Sequence, residues 1–272
     1  MSFCGLGEVI VNMRVGPEHF LMRVYVPQLT RLAKPGQFVH VRCSRSLDPL
    51  LRRPISLHGI DYNKGTISLL YQVAGTGTRL LAEMNPGDEI DVMGPLGKGF
   101  TVPDGIKKAL VVGGGIGAAP LFPLIQSLKH YGIQQIVLLG ARSADFIIGK
   151  EQLESLGVPV KIATDDGSLG YKGFITRLAE DVIAAYKPDY FFACGPNPML
   201  RTLLDITAKY ALKGQVSLEE YMGCGVGACL ACVCKSKAVA GSGTADSTEG
   251  FEYKKVCTDG PVFNASEVIL DD

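Results

Sequence analysis

The sequence predicts a multidomain α+β protein with an antiparallel β-barrel first, a parallel α/β domain next and a small cysteine-rich domain last. Three observations support this prediction. Short alternating segments fill the first third, strands and helices alternate in the middle, and four of the cysteines fall within residues 224–234. A chain of 272 residues is long enough for three small domains. We expect these domains to span residues 1–98, 99–214 and 215–272.

Composition narrows the classes of function. The chain has 27 Lys and Arg residues against 27 Asp and Glu residues, so there is no basic excess to bind a polyanion and we expect no nucleic-acid partner. The most apolar stretch, residues 109–125, is too short and too interrupted by glycine and proline to span a bilayer. The first residues carry neither a basic segment nor an apolar signal core. We therefore expect a cytoplasmic protein with no membrane partner.

The first segment alternates apolar and polar residues in short runs, which indicates strands. Turn sequences such as Lys34-Pro35-Gly36 and Asn85-Pro86-Gly87 separate them. Many short strands at nearly regular spacing are typical of a small barrel, here with one helix over Thr78–Met84. The expected strands are Glu8–Val15, Phe20–Val26, Gln37–Cys43, Pro54–Ile60, Thr66–Val73 and Asp88–Met93.

The middle segment alternates strands with helices, which predicts a Rossmann-like parallel sheet covered on both faces. The expected strands are Ala109–Val112, Gln135–Leu139, Pro159–Ala163 and Tyr190–Cys194. The expected helices are Ile116–His130, Lys150–Leu156, Ile175–Ala185 and Pro198–Leu212.

The last segment has weaker patterns. Ser217–Tyr221 is compatible with a strand, and the Ser, Thr and Gly residues of Ala238–Gly250 indicate a loop. Tyr253–Cys257 and Val262–Phe263 suggest a short closing hairpin.

The cysteines near the end form the most specific motif. Cys224, Cys229 and Cys232 follow the four-then-two spacing of a plant-type [2Fe-2S] site, and Cys257 is a distant fourth ligand. A structural zinc site usually shows two C-x2-C pairs, and buried free cysteines rarely cluster so densely, so both alternatives are weaker. Cys234 fits no ligand role if the other four are used.

A glycine-rich turn follows the first strand of the parallel sheet. Gly113, Gly114, Gly115 and Gly117 would let the backbone approach a pyrophosphate at the start of a helix, although any tight strand-to-helix turn favours glycine. A later strand of the same sheet ends in Cys194, Gly195 and Pro196, where ligand crevices form in such sheets. On local evidence alone Cys194 could equally be a small buried apolar residue.

A third group of candidate residues lies in the barrel. An arginine beside a helix start can neutralise a pyrophosphate, and a serine hydroxyl and a tyrosine ring suit the edge and face of an isoalloxazine. Taken alone, this group would be an ordinary edge strand with a surface arginine. The residues are Arg53, Pro54, Ile55, Ser56, Leu70, Tyr71, Gln72, Gly77 and Thr78.

Electron counting connects the three motifs. A nicotinamide exchanges two electrons as a hydride, whereas a [2Fe-2S] cluster accepts one. A chain that holds both needs a converter, and flavin has this role in biology. We therefore expect the barrel to hold a flavin.

The barrel and sheet motifs resemble those of the ferredoxin reductase superfamily, over essentially the whole chain. Residues 217–235 and 253–263 are similar to the tail of the electron-transfer subunits of NAD-dependent dihydroorotate dehydrogenase. The resemblance implies that the barrel group binds FAD and that Cys224, Cys229, Cys232 and Cys257 bind the cluster. The stretch between the last two ligands is longer than is usual in this family.

The same resemblance implies a role in pyrimidine biosynthesis. An FMN-containing catalytic subunit would oxidise dihydroorotate, and electrons would pass through the cluster and FAD to NAD, in a heterotetramer with two copies of each chain. Arg142 and Ser143 could bind a 2′-phosphate, whereas Asp145 would repel it, so these residues do not decide between NAD and NADP. The resemblance favours NAD.

Two rival functions stay open at this point. A small subunit of an NAD(P)H:ferredoxin or sulfide oxidoreductase would share all three cofactors and differ in its partner. A non-enzymatic, zinc-stabilised binding module would share only the fold.

Overall fold

The computed structural model describes residues 2–238 and 250–270, so most of the expected loop over residues 238–250 lies outside the described residues. In the described part of the chain, no helix combines the length and apolar character that a membrane span requires.

The N-terminal segment is a closed antiparallel barrel with strand order β1-β2-β5-β4-β3-β6, which confirms the predicted barrel. Two short helices accompany it, α1 at Pro27–Thr30 and α2 at Thr76–Ala82. The strands are β1 Phe3–Arg14, β2 His19–Tyr25, β3 Phe38–Val41, β4 Arg53–Asp61, β5 Thr66–Gln72 and β6 Glu89–Leu96.

Successive side chains of β3 point to opposite sides of the barrel wall, and both sides are buried. Val39 and Val41 pack in the barrel interior. Phe38 belongs instead to a core shared with the rest of the chain, and His40, on the same side of the strand, is fully buried. The outer face of β3 is therefore covered by later segments.

The middle segment is a seven-stranded sheet of order β10-β9-β8-β7-β11-β12-β15, parallel from β10 to β12. Apolar clusters fill both of its faces, which confirms the predicted α/β layers. The strands are β7 Lys108–Gly114, β8 Gln134–Ala141, β9 Val160–Thr164, β10 Tyr171–Lys172, β11 Tyr190–Cys194 and β12 Gly214–Ser217. The helices are α3 Leu121–His130, α4 Lys150–Ser155, α5 Ile175–Tyr186 and α6 Asn197–Lys209.

Helix α3 begins later than the sequence pattern suggests. Residues Gly115–Ala118 form a 3-10 turn, and Pro120 occupies the position just before the helix. Proline lacks the N–H that an interior helical position needs, so the chain starts a new helix after it.

In the last segment, the structure differs from two of the predictions. The strand near Ser217 is β12, and the chain leaves it after Ser217 instead of continuing to Tyr221. β14 (Phe251–Lys255) pairs with β13 (Val233–Lys237), which also pairs with β16 (Val268–Ile269).

The expected closing hairpin is wrong as well. β15 (Val262–Asn264) crosses over and pairs antiparallel with β12, so the two halves of the expected hairpin belong to different sheets. Alternation identifies a strand, but pairing partners are chosen by the tertiary fold. β12 also runs across the expected domain boundary at residue 214. The three domain ranges stay predictions.

Candidate functional site

A cavity of about 590 Å³, here called the barrel cavity, lies between the barrel, the central sheet and the C-terminal segment. Phe38 and Leu218 line it from different parts of the chain, and Glu219 and Met222 lie on its C-terminal side. Seven of the nine barrel residues predicted from the sequence line it. They are Pro54, Ile55, Ser56, Leu70, Tyr71, Gln72 and Thr78.

One of these residues, Tyr71, also has a structural role in the barrel. The Tyr71 ring stacks with Phe20, and its hydroxyl donates a 3.0 Å hydrogen bond to Asn12 Oδ1. Burial raises the pKa of this phenol. Tyr71 is only 3% exposed and packs in the barrel core, and it also forms part of the cavity wall.

Arg53 and Gly77 are in contact with each other outside the cavity lining. A Cβ on Gly77 would come within 2.8 Å of Arg53 Nε, so Gly77 gives the guanidinium room beside α2. The Thr78 hydroxyl accepts hydrogen bonds from the backbone N–H groups of Ala74 (3.0 Å) and Gly75 (3.2 Å). It therefore organises the turn before α2.

A second cavity of about 520 Å³, here called the sheet cavity, opens at the C-terminal ends of the parallel strands. Gly114, Gly115 and Pro196 line it, as the glycine-rich turn predicts.

The other residues of the two sheet motifs, Gly113, Gly117, Cys194 and Gly195, are not part of this lining. A Cβ on Gly117 would lie 2.6 Å from the Cys194 carbonyl oxygen, so glycine is required there for close packing of the two loops. Cys194 is fully buried, and this burial raises the pKa of its thiol.

The two cavities meet. Gln72 on β5 and Ile116 after β7 line both of them. A ligand in the barrel cavity and a ligand in the sheet cavity would therefore be neighbours.

An exposed polar network joins the barrel to the sheet cavity at this point. Gln72 Nε2 donates a 2.7 Å hydrogen bond to Glu18, and the other Glu18 carboxylate oxygen lies 3.6 Å from Arg142. The Arg142 guanidinium lies 3.5 Å from the centre of the Phe146 ring, in cation–π contact. Sequence reasoning missed Glu18, in the turn between β1 and β2, and Phe146, in a 3-10 turn after β8, because no motif marks either turn.

The cluster loop, residues 223–232, surrounds the first cysteines of the motif. The backbone N–H groups of Val226, Ala228 and Cys229 point at Cys224 Sγ, at 3.3–3.4 Å. These donors, led by that of Val226, lower the pKa of the Cys224 thiol to about 6. The loop is thus arranged to hold a thiolate, which fits an iron ligand.

The four cysteines come together in two pairs. The Cys224 and Cys229 thiols are hydrogen-bonded neighbours near the surface, and those of Cys232 and Cys257 are neighbours in the core. Burial raises the pKa of Cys257 to about 11. Within residues 2–238 and 250–270, no three His, Cys, Asp or Glu side chains are gathered around one point as ligands of a single ion would be. Two neighbouring pairs of thiols suit the two irons of a [2Fe-2S] cluster, each of which takes two cysteine ligands.

Known proteins resemble this chain over nearly its full length. A family profile described as the iron-sulfur cluster binding domain of dihydroorotate dehydrogenase B matches residues 219–269. The dihydroorotate dehydrogenase B (NAD(+)) electron transfer subunit of Desulforamulus reducens is 43% identical over 97% of both chains. The chain belongs to this family. Its counterpart from Bacillus caldolyticus is 47% identical over 88% of both chains.

Solved structures share the fold of this chain. An NADH-dependent reduced ferredoxin-NADP oxidoreductase matches with a TM-score of 0.84 and 28% identity, over 99% of this chain and 92% of that chain. A ferredoxin NADP+ reductase from Neisseria gonorrhoeae with bound FAD and NADP matches with a TM-score of 0.65 and 18% identity, over 76% and 91%. The higher identities favour the dihydroorotate dehydrogenase family over the ferredoxin-linked alternative.

One buried side chain of this family member faces its cluster loop from the barrel. His40 is 0% exposed, and neither of its ring nitrogens has a hydrogen-bond partner in the structure. Burial, with smaller contributions from Arg52 and Arg53, lowers its pKa to about 4. Sequence reasoning missed it, because a histidine between two valines on a strand reads as an ordinary core residue.

Proposed function

We propose that the chain binds FAD in the barrel cavity, NAD in the sheet cavity and a [2Fe-2S] cluster at its four paired cysteines. The domains would be residues 1–98, 99–214 and 215–272. The proposed FAD residues are Arg53, Pro54, Ile55, Ser56, Leu70, Tyr71, Gln72, Gly77 and Thr78. The proposed NAD residues are Gly113, Gly114, Gly115, Gly117, Cys194, Gly195 and Pro196, and the cluster ligands are Cys224, Cys229, Cys232 and Cys257.

The observation that carries this proposal is the shared lining of the two cavities at Gln72 and Ile116. Transfer between a flavin and a nicotinamide needs their reactive rings in contact, and only adjoining cavities allow this. Gln72 is held in place by its hydrogen bond to Glu18. The chain thus orients both ligands at one point.

Held by these residues, a [2Fe-2S] cluster would supply one-electron transfer, and a flavin would supply both one-electron and two-electron transfer. One apolar core connects the proposed cluster ligands to the barrel cavity. Cys232, Cys257, Phe38 and Leu218 belong to one apolar core, and Phe38 and Leu218 also line the barrel cavity. Protein, not solvent, fills the space between the two sites.

The same arrangement of sites indicates which reaction a partner subunit must carry out. Both cavities are assigned to cofactors, so we propose that an FMN-containing catalytic subunit oxidises dihydroorotate and delivers electrons to the exposed side of the cluster loop. Cys229 and Leu230 are exposed there, which supports entry at this surface. A heterotetramer with two copies of each chain would place one catalytic subunit against each cluster loop.

Reconstitution tests the proposal. The purified chain should contain FAD and two irons per molecule, and should reduce an artificial dye with NADH. It should reduce NAD+ with dihydroorotate only after the catalytic subunit is added. If the isolated chain oxidised dihydroorotate, or if the added subunit left the rate unchanged, the proposed division of labour would be wrong.

A further inference from the structure

We propose that His40 is a positioning residue for the iron-sulfur cluster: its ring N–H donates a hydrogen bond to a cluster sulfur and ties the cluster loop to the barrel. The inference rests on the proposed binding of a [2Fe-2S] cluster by the four cysteines.

The position of His40 is set by strand β3. It pairs with Pro54 on β4 and Met93 on β6, and Met93 packs on the same core as Cys232 and Cys257. The His40 ring also meets the Phe38 ring edge-on, with centroids 6.4 Å apart. The imidazole is thus fixed on the face of the barrel that the C-terminal segment covers.

The cluster loop makes room for this ring at one residue. Gly225 has a φ of +72°, and a Cβ built on it would lie 2.7 Å from His40 Nδ1. Gly225 directly follows Cys224, whose sulfur already receives three backbone N–H groups from the loop. The imidazole therefore abuts the loop at the residue next to a proposed ligand.

Both ring nitrogens of His40 lack a partner, although the side chain is completely buried. A buried polar group without a hydrogen bond costs about 1–3 kcal/mol, so such groups normally have a partner in the working protein. The neighbouring group that these cysteines would bind carries sulfur acceptors. A neutral imidazole always has one N–H to donate.

Such a bond would change the redox behaviour of the cluster as well as its position. A hydrogen bond to sulfur stabilises the more negative, reduced state and raises the reduction potential. Without the His40 donor, the reduced-to-oxidised ratio at a fixed potential should fall about tenfold, which is about 59 mV for a one-electron couple.

Potentiometry of the complete complex tests this effect in matched variants. His40→Leu should lower the cluster potential by this amount, whereas His40→Gln, which keeps an N–H donor, should stay near the wild-type value. His58→Leu is the control, since His58 is also a buried barrel histidine but contacts Ala119 and Phe122 instead of the cluster loop. An unchanged potential in His40→Leu, or equal shifts in His40→Leu and His40→Gln, would overturn the inference.

A spectroscopic measurement decides the matter even if His40→Leu fails to retain iron. In wild-type protein with ¹⁵N only in its histidine rings, pulsed electron paramagnetic resonance of the reduced cluster should show one ¹⁵N coupling. The absence of this coupling would overturn the role of His40. The absence of any [2Fe-2S] signal in the wild-type protein would instead contradict the proposed function.

Discussion

The two cysteine pairs of the cluster loop region differ in their surroundings. Cys229 is exposed and Cys224 is half-buried, in the same loop as the exposed residues Val226 and Leu230. Cys232 and Cys257 are 2% and 1% exposed and pack in the core that reaches the barrel cavity. One side of the site faces outward and the other faces the proposed flavin. A relay that exchanges electrons with a partner chain and with an internal cofactor needs this asymmetry.

The largest effect is expected from substitutions that break either cysteine pair. Serine at Cys224, Cys229, Cys232 or Cys257 should remove most of the iron, because one iron of the cluster would lose one of its two protein ligands. Cys234→Ser is the matched control and should keep the cluster, since the structure places this thiol on β13 outside the two pairs. Iron content and the resonance signal of the reduced protein measure the outcome. Retention in Cys232→Ser together with loss in Cys234→Ser would contradict the assignment.

A charged residue at Leu230, which is 60% exposed, tests the side of the cluster loop that faces outward. Leu230→Asp should nearly abolish the dihydroorotate-to-NAD+ reaction while sparing the dye reaction, because an unpaired charge would be buried against the catalytic subunit. Leu230 has a φ of +58°, a conformation that aspartate tolerates well, so the substitution should not strain the backbone. Leu6→Asp, at a barrel residue that is 58% exposed, is the control. Equal loss of both reactions in Leu230→Asp would place Leu230 in the folding core.

The buried cysteine pair faces the proposed FAD, and we expect Arg53 to strengthen the binding of this FAD. Removing a charge-assisted hydrogen bond to a pyrophosphate costs about 1.5–3 kcal/mol, so Arg53→Ala should weaken FAD binding roughly ten- to a hundredfold. Arg45→Ala is the control, because Arg45 is an exposed barrel arginine paired with Glu89. FAD retained on the protein after dilution measures the difference. Equal retention in both variants would return Arg53 to the role of a surface strand residue.

The smallest effect is expected on the binding of NADH in the sheet cavity. Glu18 links Gln72 to Arg142 at the junction of the two cavities, through side chains that are partly exposed. Exposed pairs contribute about 0.2–1 kcal/mol, so Glu18→Gln should raise the KM for NADH at most about fivefold and leave FAD content unchanged. Asp61→Asn, which breaks the remote pair with Lys64, is the control. An unchanged KM in Glu18→Gln would show that the network does not position the nucleotide.

Local sequence patterns were sufficient for much of the fold. The barrel and the helices and strands of the parallel sheet follow from alternation and helical periodicity, because these patterns reflect burial within a single element. The cysteine spacing likewise marks a candidate cluster loop, because three of the four proposed ligands lie within one short stretch of chain. Pairing was not predictable, as β15 shows by leaving its expected hairpin partner to join β12.

The sequence by itself therefore determined the three kinds of segment and the residue types suited to iron, pyrophosphate and flavin, since these depend on spacing along the chain. Only the tertiary structure decided which groups meet. It brought Gln72 and Ile116 to both cavities, placed the Tyr71 ring in the barrel core and set His40 against Gly225. Such contacts join residues far apart in the chain, and their energies depend on packing and burial that no local pattern encodes.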